Sequence, residues 1–155
     1  MEVLIWRCLR GPNVWVPFPV FEGVLGFGSE GAPTAGQLQQ ILGRVAEGLP
    51  GFAPPPTGDT PSRLAHALAG AAVLLQNRAR TPVSFWAVRP GRRPGRWQVA
   101  VEFAVEQVGR AAIDLAWRLL LAARDGSSVP LDEEEARLAR LEWLNRFYHS
   151  SRLIA

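Results

Sequence analysis

Residues 3–9 form a short apolar run that predicts a strand, with Val3, Ile5 and Arg7 on one side and Leu4, Trp6 and Cys8 on the other. The run empties into LRGPN, 9–13, where glycine and proline predict a turn. Segments 14–18 and 21–25 predict one or two further strands, and Pro17 and Pro19 keep the piece between them out of a sheet centre. Residues 26–35 read as a loop. From 37 to 49 the period changes: Leu38, Leu42, Val45 and Leu49 recur at helical spacing, and Ile41 widens that face.

The connector PGFAPPPTGDTP, 50–61, is stiff and irregular, and its end predicts a helix start with Thr60 as N-cap and Pro61 at the first helical position. The helix that follows, 62–77, is apolar nearly all round. Its small residues Ala65, Ala69, Gly70 and Ala72 allow close approach, so it is expected to be the central buried helix. Segments 83–88 and 97–105 predict a hairpin. In the second strand Trp97, Val99, Val101, Phe103 and Val105 share one face, and Gln98, Ala100, Glu102 and Ala104 share the other.

Val108, Ala112, Leu115, Leu119 and Ala122 then mark a helix reaching about residue 124, with Arg110, Asp114 and Arg118 spaced four apart as an ion ladder outside. Gly126 ends it. Asp132 is expected to cap the last helix, with Glu135 completing a capping box and acidic residues at its positive end. Leu138, Leu141, Leu144 and Tyr148 make its buried stripe. Strands, two helices, a hairpin and two helices predict an α+β fold, an antiparallel or mixed sheet packed against about four helices.

Composition narrows the function classes. A chain of 155 residues defaults to one domain, 1–155, and is long enough to bury a core. Its longest apolar stretch, 64–75, is interrupted by His66 and is too short to span a bilayer. The start of the chain lacks the order of a signal peptide, so a cytoplasmic location and no membrane partner are expected. The single cysteine, Cys8, lies in an apolar context and is expected to be a small buried hydrophobe. All 17 basic side chains are arginine, which reads as composition bias. A net charge of +3 is too small to imply nucleic acid, and no recognition helix or aromatic-studded basic sheet accompanies it.

No catalytic constellation stands out. His66 and His149 fall on different helices, neither with Cys, Asp or Glu at ligand spacing, so no metal is expected and His66 reads as a helix-packing residue. The glycines of GVLGFGSEG, 23–31, lack the lysine and Ser/Thr of a triphosphate loop. The strongest local charge is VRPGRRPGRW, 88–97. Arg89, Arg92, Arg93 and Arg96 crowd the hairpin connection, and Trp86 and Trp97 flank it, where an indole face stacks with a guanidinium. A solvated tip and a grip for an acidic or mixed-charge polymer both fit this pattern.

LRGPN followed by Trp15 resembles the opening of cyanophycin synthetases. TPVSFWAVRPGRRPGRWQVAVEFAVEQVGRAA, 81–112, is similar to a second stretch of that family, carried by Pro82, Val83, Phe85, Arg89, Pro94, Gly95, Trp97, Gln98, Val99, Glu102, Phe103, Gly109 and Arg110. VPLDEEEARLARLEW, 129–143, looks like its acidic helix start, and HSSRLIA, 149–155, resembles the segment leading into the ATP-grasp domain. The resemblance extends to the family's N-terminal domain alone. It implies a noncatalytic platform for an acidic or arginine-bearing peptide or polymer, lacking the ATP-grasp domain that would act in cis or in trans with ATP and Mg2+. No cofactor is expected in this chain, and a second copy is a further expected partner.

The same resemblance implies a contact set. Arg10, Arg89, Arg92, Arg93 and Arg96 would meet carboxylates, Trp86 or Trp97 would give apolar support, and Glu102 or Glu106 would meet arginyl groups. Arg10 has an alternative role, tying its own turn to backbone carbonyls. Many members carry His-x-x-Glu-His in the central helix; here His66 is followed by Ala69 and Gly70, with Leu74 at a later glutamate position, so hydrolytic trimming is not expected. Pro90 stands where a glutamate is usual. The alternative function is a scaffold that docks a ligase domain or subunit and touches no substrate.

Overall fold

The computed structural model describes residues 2–26, 32–47 and 60–152. Most of the loop expected over 26–35, Leu49, most of the proline-rich connector and the chain after 152 lie outside the described residues. The elements are β1 (Glu2–Leu9), β2 (Val20–Gly26), α1 (Ala35–Ala46), α2 (Thr60–Arg78), β3 (Trp86–Pro90), β4 (Arg96–Glu102), α3 (Glu106–Asp125) and α4 (Leu131–Arg152). The fold is α+β. Its sheet is antiparallel throughout, with strand order β1-β2-β4-β3, and the helices pack on it.

Register divides the sheet into two faces. Trp6 lies opposite Gly23, Gly23 opposite Val99, and Val99 opposite Val88. Phe21, Leu25, Val99 and Val101 share this side and are buried in the core under the helices, with Trp6, Cys8, Trp86, Val88 and Trp97 packed at its margin. Cys8 is half-buried rather than buried. The other side carries Arg7, Glu22, Gln98 and Arg89, which are neighbours across the strands.

α2 is the centre of the helical layer: Ala67, Leu68 and Ala69 are all at most 1% exposed, and three consecutive residues point to different sides of a helix. Its end is a Schellman turn in which Thr81 N–H donates to Gln76 O (2.9 Å) and Arg80 N–H donates to Asn77 O (3.0 Å). Arg80 therefore takes the left-handed position, φ 61°. α3 ends in the same way, with Ser127 N–H on Ala122 O (2.9 Å) and Gly126 at φ 68°. Gly109, near the start of α3, allows that helix to approach the sheet; a Cβ there would lie 2.6 Å from Phe103 Cβ and 2.9 Å from the Phe21 ring.

Several expectations are corrected. Residues 14–18 are not a strand, because the side chain of Asn13 takes up the backbone groups a strand would pair. The third strand begins at Trp86 rather than at 83: Asn77 holds Val83 O (2.8 Å), and Glu102 accepts the Ser84 and Phe85 N–H groups, both at 2.8 Å. The fourth strand stops at Glu102, and Phe103 and Val105 belong to the turn into α3. α4 starts at Leu131, so Asp132 lies inside its first turn, and Glu135 pairs with Arg78 (2.7 Å) instead of closing a capping box. The capping box that does form is at α1, between Thr34 and Gln37. In the ladder of α3, Arg118 pairs with Asp114 at 3.2 Å, whereas Arg110 turns to Glu106. Tyr148 is 65% exposed, because burial along α4 ends among the described residues at Glu142.

Candidate functional site

The turn after β1 is organised by one side chain. Asn13 Nδ2 donates to Gly11 O and Phe18 O, both at 3.0 Å, while its Oδ1 accepts from Trp15 N–H (2.9 Å) and Val16 N–H (3.2 Å). An amide supplies two donors and an acceptor at once, and no other residue type near this length satisfies all four groups. The loop 10–19 is thereby folded back so that Trp15 Nε1 donates to Glu22 Oε1 at 3.1 Å. Glu22 is 5% exposed, and Arg7, its partner across β1 and β2, holds the other oxygen. The guanidinium and the indole N–H together offset the cost of burying that carboxylate.

This network runs on into the hairpin. Arg89 lies 4.0 Å over the Trp15 ring, and its Nε donates to Gln98 Oε1 at 2.6 Å. Arg7, Glu22, Trp15, Arg89 and Gln98 thus form one connected polar strip on the side of the sheet turned away from the helices. Sequence reasoning singled out Arg89 but missed Arg7 and Glu22. The available signal was a lone carboxylate inside the apolar run of β2, which needs a cation when buried.

The hairpin tip is closed by Gly91 N–H on Arg96 O (2.7 Å) and Arg96 N–H on Arg93 O (3.2 Å). Gly95 has φ 72°, and a Cβ at Gly91 would lie 2.9 Å from Arg96 O, so both glycines are demanded by the turn. The side chains of Arg92 and Arg93 project from it, exposed, with neither a hydrogen bond nor an ion pair to any described residue. Arg96 and Trp97 are half-buried at its base, Trp97 opposite Pro90.

The remaining candidates lie elsewhere. Arg10 follows Leu9, which aligns with Val20 and Glu102 at the other end of the sheet from Arg96. At about 3.3 Å per residue, the length of β4 separates Arg10 from the hairpin tip by about 20 Å. Arg10 Nε instead donates to Glu106 Oε2 at 2.9 Å. That hydrogen bond, reinforced by Arg110, holds the Glu106 carboxyl below its usual range and raises the Arg10 guanidinium. Glu102 Oε2 is occupied by the Ser84 and Phe85 amides. Trp86 faces the helices at the far end of β3, its ring edge-on to His66 with centroids 5.1 Å apart.

His66 is half-buried and its Nδ1 has no hydrogen-bond partner, and burial pushes its pKa down. Ala69 and Gly70 beside it are buried in the helix packing. Among the described residues no three His, Cys, Asp or Glu side chains converge to hold a metal ion, and no helix is long and apolar enough to cross a membrane. No protein-family model matches the chain, and no curated protein matches its sequence.

Proposed function

We propose that this chain is a noncatalytic binding domain for an acidic or arginine-bearing peptide or polymer, acting like the N-terminal domain of a cyanophycin synthetase-like ATP-dependent peptide ligase. The ligase chemistry, with its ATP and Mg2+, belongs in this reading to an ATP-grasp domain in cis or in trans. One observation carries it: Arg92 and Arg93 stand exposed on a turn fixed by Gly91 and Gly95, while neighbouring Arg89 is tied to Trp15. Each guanidinium offers a carboxylate a two-pronged hydrogen-bond partner. An exposed pair contributes only about 0–1 kcal/mol, so affinity must come from many carboxylates on one chain re-engaging the same tip.

The test is a titration of the chain with poly-aspartate at low and high salt. Arg92→Ala with Arg93→Ala is expected to weaken binding about fivefold at low salt, with an unchanged melting temperature. Undiminished affinity in that variant would remove the proposal.

One feature favours the scaffold reading as the second choice. Trp143 and Phe147 are stacked with centroids 5.5 Å apart on the exposed side of α4, and Tyr148 adjoins them. Exposed aromatic clusters of this kind mark protein contacts. Loss of ligase-domain docking on Trp143→Ser, with poly-aspartate binding absent, would select it.

A further inference from the structure

A cleft of about 340 Å³ opens on the helix side of the sheet, walled by Trp6, Phe21, Leu68, Ile113 and Trp117. It exists because residue 23 is glycine. A Cβ at Gly23 would lie 2.5–2.7 Å from the six-membered ring of Trp6, its partner across β1 and β2. With hydrogen there instead, the indole lies down on β2 and makes a floor. A larger residue would stand it up into the space between the sheet and α3.

Charge enters the cleft from α3 only, through Arg110 and Asp114, one helical turn apart. The two are not equivalent. Asp114 is met by Arg118 at 3.2 Å, and Arg118 is shared with Glu134 at 2.8 Å. Arg110 sits over the face of Phe21, 5.4 Å from its centroid, and reaches Glu106 at 3.2 Å. Glu106 is also claimed by Arg10 at 2.9 Å. Two guanidiniums therefore share one carboxylate at this corner, as two carboxylates share Arg118 at the next turn, and of the two charges lining the cleft it is the guanidinium of Arg110 that lies over an apolar wall.

We infer that this cleft binds a small ligand in which a carboxylate is joined to an aromatic body. The body packs between Trp6, Phe21 and Trp117, and the carboxylate meets Arg110. The volume is at the small end of ligand pockets, which suits one or two rings. A cationic headgroup in the same place would face the Arg110 guanidinium over Phe21. Floor and cation are both on the opposite side of the sheet from the Arg89–Trp15 strip, so this site does not depend on the polymer grip. Two sources share this chemistry, a free aromatic acid and the C-terminal residue of a peptide.

The experiment titrates the full chain with indole-3-propionate, with its uncharged amide, and with the tripeptide Gly-Gly-Phe, followed by ligand-observed NMR. Indole-3-propionate is expected to saturate in the millimolar range or below, about tenfold more tightly than its amide. Arg110→Gln, an exposed change that spares the core, is expected to erase that difference. Ile113→Trp, which fills the cleft, is expected to abolish binding of both forms. Arg124→Gln, a charge change at the far end of α3, is expected to alter nothing. Tighter binding of Gly-Gly-Phe than of indole-3-propionate would assign the peptide source, and the reverse the free acid. Absence of saturation with either, equal binding of acid and amide, or full binding by Arg110→Gln would overturn the inference.

Discussion

The guanidinium of Arg89 rests 4.0 Å above the ring of Trp15, and this contact fastens the loop 10–19 to a strand from the other half of the chain. Trp15 also supplies an N–H to the buried Glu22. Trp15→Leu keeps apolar cover but removes both roles, and is expected to lower the unfolding free energy by about 1–3 kcal/mol in urea titrations. Adding Glu22→Gln should cost less in the Trp15→Leu background than in the parent, since the two residues are direct partners.

Asn13 makes four hydrogen bonds inside that loop. Asn13→Ala should cost about 1–3 kcal/mol and speed amide exchange at Trp15 and Val16. Asn13→Asp keeps the acceptor and loses the donors. Slow exchange should therefore survive at Trp15 and Val16 in the aspartate variant, although its melting temperature falls.

Two helices end in the same turn, one with Gly126 and one with Arg80 in the left-handed position. A side chain there costs about 1 kcal/mol that glycine avoids. Arg80→Gly is accordingly expected to raise the melting temperature, and Gly126→Ala to lower it, in thermal melts of the two variants.

Acidification should act first through His66. Burial lowers its pKa below the ordinary 6.5, so the unfolded chain binds the proton more readily than the fold does. Stability contributed by the neutral ring is present above pH 6.5 and declines as pH falls below it. His66→Phe should flatten the stability profile between pH 7 and pH 5 (about the range where a histidine titrates). Glu106 behaves differently: its carboxyl is lowered by Arg10, so its contribution persists above 4.5 and is lost only as pH falls through its depressed value. Glu106→Gln should lower stability above pH 4.5 and flatten the acid limb, with the two profiles converging at low pH in urea titrations.

Helices were legible where the period was clean. α2 and α3 announced themselves by apolar spacing and small residues, and Gly126 marked a real end. The misreadings have a common cause. Val14, Val16 and Phe18 alternate as a strand would, yet Val14 is 79% exposed, because Asn13 outcompetes a neighbouring strand for the backbone. Tyr148 continues the spacing of Leu138 and Leu141, but periodicity carries no information about where the partner surface stops. The arginine cluster of 88–97 was visible in the chain; its division was not. Arg89 is taken by Trp15, and Arg10 by Glu106, 96 positions away, and only tertiary structure brings such partners together.

Strand order has a further consequence. β4 inserts between β2 and β3, so the middle of the sheet unites a strand made early with the last strand made. While the chain is being synthesised, β2 has β1 on one side and a row of unanswered amides and carbonyls on the other. Pairing of this kind, across two intervening helices, is slow to form. During that delay a second nascent chain competes for the vacant edge, so aggregation during synthesis, rather than weakness of the finished fold, is where this topology is vulnerable.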